Sequence, residues 1–178
     1  GMNYIRDELE DLSFQRLNPA ARNLIVEKLV LNKKNRETNF IEISKNLEKI
    51  LKNNNVKAKI IGREKTPFSI WRKIQSRRIS LEQLTDIIGF RVIVSDIKSC
   101  YSVLGIFHSM WSAIPGKFKD YISTPKINNY KSLHTSIIGP NNERVEIQIR
   151  TKQMHEFAER GIASHWIYKS SEKVTSLA

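Results

Sequence analysis

The spacing of apolar residues changes near Val56, from a helical period before it to an alternation after it. Asn18-Pro19 offers a cap residue and a proline for a first helical position, and Ala21, Leu24, Ile25 and Leu29 follow at helical spacing. A second helix is predicted from near Asn35, with Phe40, Ile43, Leu47, Ile50 and Leu51 on one stripe until Asn53-Asn54-Asn55 stops it. Val56, Ala58 and Ile60 then alternate with Lys57 and Lys59, which predicts a half-buried strand ending at Gly62. Thr66-Pro67 opens a third helix. Its apolar stripe is Phe68, Trp71 and Ile74 with Ile70 beside it, while Ser69, Lys73 and Arg77 fall on another face.

Further along, Ile87 to Val94 is an apolar run broken only by Arg91, which predicts a strand covered on both sides. Asp96 caps a helix carrying Ile97, Cys100, Tyr101, Leu104 and His108, which ends before the turn at Pro115-Gly116. Strands are predicted at Tyr121-Ile122 and Leu133 to Ile138, followed by the turn Gly139 to Asn142. Over residues 144–150, Val145, Ile147 and Ile149 face one way and Arg144, Glu146, Gln148 and Arg150 the other. A last helix is predicted from Lys152 to Tyr168. Strands mixed with helices imply an α/β or α+β domain around a mixed sheet at 56–178, preceded by two helices at 1–55. Gly1 before Met2 reads as a cloning remnant.

At 178 residues, with 40% hydrophobic and 27% charged residues, the chain can bury a core without disulfides, and disorder is excluded. No apolar stretch approaches the ~20 residues of a membrane helix, and no hydrophobic signal opens the chain, so a cytoplasmic protein without a membrane partner is expected. The lone Cys100 fits a reducing compartment and reads as a small core residue.

Charge changes the picture more. The net charge is +12, and residues 57–79 hold eight Lys or Arg against Glu64 alone, while residues 113–131 hold four lysines against Asp120. Concentrated cations of this kind point to polyanionic ligands, nucleic acid and nucleotide phosphates alike.

Two carboxylates stand out within that basic chain. Asp86 precedes an apolar strand and Glu146 lies on a strand's polar face, so both could project into one cleft and hold Mg²⁺ against phosphate oxygens. Surface ion pairs would satisfy the same positions. Gly62 to Ser69 brings two cations and a hydroxyl to a helix start, where free amides favour an anion, although the glycine spacings of a Walker loop or a dinucleotide fingerprint are absent. Tyr130 in a polar loop could stack on a nucleobase or cap the sheet. His134 could donate to a phosphate or sugar, or pack in the core. His155, Glu156, Glu159 and His165 lack HExxH spacing, which argues against zinc, and no nucleophile elbow is present.

Five blocks carry a resemblance: 62–73 (GREKTPFSIWRK), 115–121 (PGKFKDY), 125–135 (PKINNYKSLHT), 146–151 (EIQIRT) and 161–169 (GIASHWIYK). Together they closely resemble the synthetase domain of the RelA/SpoT alarmone synthetases, in family order across residues 56–169. Residues 9–34 also look like the helical connector that precedes this domain in long members. The resemblance implies an α+β, nucleotidyltransferase-like mixed sheet flanked by helices. It further implies transfer of the β,γ-pyrophosphate of ATP to the 3′-hydroxyl of GDP or GTP, with Mg²⁺ as cofactor and AMP and (p)ppGpp as products. By family match, Arg63 would stack on adenine while Lys65, Ser69 and Lys73 hold ATP phosphates. Asp86 would bind the metal, and Glu146 would share it or activate the acceptor hydroxyl. Tyr130 would stack on guanine, with Lys117, Lys119, Lys126, Asn128, His134, Gln148 and Arg150 around the acceptor nucleotide.

Departures accompany the match. Lys117 replaces the family's arginine, turning a two-pronged phosphate contact into a point charge. Asn129 replaces a glycine, though asparagine tolerates a left-handed backbone. Residues 80–83 (SLEQ) match neither charged pattern that accompanies GDP or GTP preference, and no arginine opens the 96–111 helix as a second adenine clamp. No histidine precedes His108, so the family's hydrolase activity is not expected. Nothing follows Ala178 that would form a C-terminal regulatory, ribosome-binding domain, so a standalone synthetase or a fragment of a long enzyme is expected. Two other readings stay open at this level: a catalytically weakened nucleotide- or RNA-binding module of the same fold, and a nucleotidyltransferase that releases pyrophosphate.

Overall fold

The computed structural model describes residues 2–31, 33–78, 80 and 88–160. Three helices, not two, precede the sheet: α1 (Met2–Leu17), α2 (Pro19–Leu31) and α3 (Lys33–Asn53). The extra helix carries Ile5, Leu9 and Leu12 at helical spacing, but that row is exposed, and its buried anchor is Phe14. Asn18 ends α1 and caps α2, its Oδ1 accepting from the Ala21 amide at 3.2 Å, with Pro19 at the first helical position. The asparagine cluster ends α3 as expected, with Asn55 taking the left-handed backbone at φ 57°.

Five strands follow: β1 (Lys59–Glu64), β2 (Ile88–Val94), β3 (Lys119–Asp120), β4 (Leu133–Ile138) and β5 (Arg144–Thr151). They are interleaved with α4 (Pro67–Arg77), α5 (Ile97–Met110) and α6 (Lys152–Arg160). One mixed sheet runs in the order β1-β2-β5-β4-β3, with β2 and β5 parallel and the other neighbours antiparallel. Two strand expectations shift. β1 begins at Lys59 and continues through Gly62 to Glu64, because its pairing with β2 extends to Ile88. Tyr121-Ile122 is a turn rather than a strand: Asp120 Oδ1 accepts the amides of Ile122 and Ser123, both at 2.9 Å, and bends the chain there.

The two faces of the sheet differ. Phe90, Val92 and Val94 of β2 and Val145, Ile147 and Ile149 of β5 face α3 and α5, packing with Leu47, Leu51, Val103 and Phe107 into the main core. Cys100 lies in that core, where burial pushes its thiol up to about 11, so it is inert. Gly62 serves this face as well, since a Cβ there would stand 1.8 Å from the ring of Phe40, itself stacked on Phe90. Over the opposite face lies a smaller cluster in which Phe14, Ile25 and Ile70 pack with Phe68, Trp71 and Ile74. The apolar stripe of α4 therefore faces α1 and α2, which leaves its other face to the sheet.

Candidate active site

Alternation on the strands puts one polar row set under α4. Arg63, Gly89 and Glu146 are register neighbours across β1, β2 and β5, and Arg91, Gln148, His134 and Lys119 form the next row across β2, β5, β4 and β3. β2 is therefore not equally apolar on both sides. Gly89, Arg91 and Ile93 are half-buried on the cleft side, and Arg91 interrupts the apolar run because it faces the cleft.

The first lobe is a cleft of about 390 Å³ between α4 and the sheet. Arg63, Lys65, Ser69 and Lys73, the four residues matched to ATP binding, all line it, together with Glu146 and Gln148. Glu146 receives two ammonium groups: Lys65 Nζ lies 2.8 Å from Oε2 and Lys73 Nζ 3.0 Å from Oε1. Burial pushes the Glu146 carboxyl up, but the two lysines outweigh it and hold the group below the usual carboxylate range. Burial, aided by the Lys65 charge and opposed by Glu146, pulls Lys73 down to about 7. Arg72, not singled out from sequence, lines the same lobe.

The start of α4 differs from expectation. Thr66 caps the helix, its hydroxyl accepting from the Ser69 amide at 3.2 Å, and Asp11 of α1 accepts from the Phe68 amide at 3.1 Å. Side chains of Asp11 and Thr66 thus take two of the amides that the sequence offered to an anion. Asp11 is held in turn by Arg22 at 2.7 Å. Arg63 is also engaged from α1, with Nη2 3.1 Å from Asp7 Oδ2.

The second lobe, about 650 Å³, is lined by Lys126, Asn128, Tyr130, His134, Gln148 and Arg150, six of the residues matched to the acceptor nucleotide. Asn129 adopts φ 59°, the left-handed backbone its replaced glycine would take, and Asn128 Oδ1 accepts from the Tyr130 amide at 3.2 Å. Tyr130 Oη pairs with His134 Nε2 at 2.8 Å. Lys126 Nζ stands 4.7 Å from the ring centre of Tyr121 and 5.2 Å from that of Tyr130. Burial, with Lys126 and Arg150 nearby, pulls His134 down to about 4, so it is neutral. Arg150 is 1% exposed, the most deeply placed cation of the face.

Lys117 and Lys119 line neither lobe; Lys119 is exposed beside His134 across β3 and β4. Asp86, the 161–169 block with His165, and the side chain of Arg77 lie outside the described residues. Among those described, no group of three or more His, Cys, Asp or Glu is placed to hold a metal, and no helix is long and apolar enough to cross a membrane.

Two adjoining lobes on an α+β mixed sheet share a polar wall: the first holds one carboxylate between two lysines, and the second mixes five cations with Asp7, Glu8, Asp11 and Glu159. The family described as "Region found in RelA / SpoT proteins" matches residues 62–173, and the chain belongs to it. The chain is 49% identical over 170 residues to a GTP pyrophosphokinase rsh of Brucella melitensis, a match covering 95% of this chain and 22% of that protein. A GTP pyrophosphokinase of Myxococcus xanthus is 46% identical, covering 99% of this chain and 23% of that one. The chain thus spans under a quarter of the length of these relatives. Among solved structures, small alarmone synthetase 2 from Bacillus subtilis matches with a TM-score of 0.57 and 30% identity, over 83% of this chain and 81% of that one.

Proposed function

We propose that the chain transfers the β,γ-pyrophosphate of ATP to the 3′-hydroxyl of GDP or GTP, releasing AMP and forming (p)ppGpp. The observation that carries this reading is that the two lobes share a wall: Arg63, Arg91 and Gln148 line both, so ligands in each would meet there. The names of the relatives, GTP pyrophosphokinase and small alarmone synthetase, support the same chemistry.

In this reading ATP occupies the first lobe, its phosphates held by Lys65, Ser69 and Lys73, with Arg63 against the adenine. GDP or GTP occupies the second, its guanine on Tyr130, with Lys126, Asn128, His134, Gln148 and Arg150 around the nucleotide and Lys119 beside His134 at the end of the row. The acceptor 3′-oxygen forms a bond to the β-phosphorus while the bond from that phosphorus to the α,β-bridging oxygen breaks, which leaves AMP. The hydroxyl proton passes to Glu146. Two polyanions repel each other, so catalysis is mostly positioning and charge compensation by these cations.

The same lysines tie base strength to occupancy. In the free protein they hold Glu146 firmly ionised and weakly basic. Polyphosphate draws Lys65 and Lys73 toward itself, and the loosened carboxylate gains basicity when a proton must be taken. A carboxylate is also a hard oxygen donor that suits a divalent cation, once the two lysines on its oxygens have turned to phosphate. Glu146 together with Asp86, two residues before the start of β2, would hold Mg²⁺, which when bound neutralises charge on the transferring phosphates. Incubation with ATP, GDP or GTP, and Mg²⁺ tests the proposal: AMP and (p)ppGpp are its products.

A further inference from the structure

The seam between the lobes carries an arrangement that the assignments above leave unexplained. Arg91 Nη1 donates to Glu159 Oε1 of α6 at 3.0 Å, and Arg150 Nη2 donates to the same oxygen at 3.2 Å. Arg150 Nη2 also donates to His155 Nδ1 at 2.6 Å, which requires that nitrogen to be unprotonated. One oxygen of the partly exposed Glu159 carboxylate therefore stands between two guanidinium groups that repel each other, that of Arg150 buried and that of Arg91 half-buried. Burial, then the Arg150 charge, pull the Arg91 pKa down against the opposing pull of Glu159. The Nε groups of Arg91 and Arg150 are buried without a hydrogen-bond partner, so neither cation is saturated where it lies.

An under-satisfied guanidinium on a long side chain follows the nearest phosphate. In a cleft that brings two polyphosphates together, free movement of Arg91 would scatter the ligands among unproductive poses. His155 and Glu159, four residues apart on α6, share one face of that helix, and it is this face that meets the two arginines.

We propose that Glu159 is a positioning residue: its carboxylate fixes the Arg91 guanidinium on the seam between the two lobes. The proposal rests on the two-nucleotide reading above. The competing account is that the ion pair only fastens α6 to the sheet.

A double-mutant cycle tests whether the two residues act through one contact, and melting curves of the same variants separate positioning from fastening. Glu159→Gln keeps the shape of the side chain and removes its charge, and Arg91→Lys keeps a charge and removes the fork. Each single variant is expected to lower kcat/KM per folded molecule by about 10-fold or more, and the double variant to match the worse single within about 2-fold, because the two act through one contact. Independent, multiplying losses overturn the proposal. So does wild-type kcat/KM in Glu159→Gln, or a loss that vanishes once melting curves correct for the folded fraction. Binding of a nonhydrolysable ATP analogue is run through the same cycle. If the wild-type chain forms no AMP, the transfer reading fails, while coupled losses of analogue affinity still support the positioning role and independent losses overturn it. Should Glu159→Gln not fold, Glu159→Asp enters the cycle under the same criterion.

Discussion

Lys73 reaches from α4 across the cleft to place its ammonium 3.0 Å from the carboxylate of Glu146 on β5. This contact joins the roof of the site to its floor, and each partner alters the other's protonation. Desolvation brings Lys73 to about 7, so a large fraction of it is neutral in mildly alkaline solution.

Binding of a polyphosphate raises the Lys73 pKa, because a nearby anion favours the charged form. The sign follows: above the free-state value the protein must take up a proton when it binds. Calorimetry of a nonhydrolysable ATP analogue in buffers of different ionisation enthalpy is expected to show uptake of about half to one proton near pH 8, fading toward pH 6. Lys73→Arg abolishes the uptake. Equal heats in all buffers for the wild type would contradict the assignment.

Removing the carboxylate should separate binding from turnover. Glu146→Gln frees Lys65 and Lys73 from their counter-charge, so analogue affinity is expected to be equal or tighter, while turnover falls about 10²-fold or more. Parallel losses of affinity and rate would point to a structural role for Glu146.

Asp7 holds Arg63 in a partly exposed pair, and a nucleotide must draw the guanidinium away from it. Asp7→Asn is therefore expected to tighten binding of the ATP analogue by about 2- to 5-fold, the range of a partly exposed ion pair. Titration calorimetry checks this, and weaker binding would show that Asp7 orients Arg63 instead of restraining it.

Gly62 opens a basic segment that reads as a phosphate cradle, yet its lack of a side chain serves the opposite face of the sheet, where the Phe40 ring approaches. Gly62→Ala is expected to cost about 1–3 kcal/mol of stability, read from chemical denaturation, because the stacked ring must move.

Much of this architecture is written in local pattern. The cap and proline at Asn18-Pro19, the Thr66-Pro67 start of α4, the Asp96 cap of α5 and the alternation of β5 are short-range signals, and each element stands where they place it. α1 has a local signal too, in the row Ile5, Leu9 and Leu12, but what it buries is Phe14, packed on Phe68 and Trp71 far along the chain, and that contact no local pattern marks. The two-residue β3 is likewise held by pairing with β4 and by a turn at Asp120, not by any apolar run of its own. In the site, the motif residues of the first lobe converge on one cleft, and Arg91 stands out in the sequence as the one charge inside an apolar strand, though nothing local tells that it faces that cleft. Asp7, Asp11 and Glu159 carry no such mark. They matter through contacts with Arg63, the Phe68 amide and Arg91, each 56 or more residues away in sequence.

The central claim is the bond that breaks. Chromatographic separation of the products formed from ATP with GDP or GTP in the presence of Mg²⁺ tests it most directly. The account requires AMP and a guanosine nucleotide gaining a 3′-pyrophosphate in equal amounts. Release of free pyrophosphate or ADP in place of that pair, or nucleotide binding without any AMP, would contradict it.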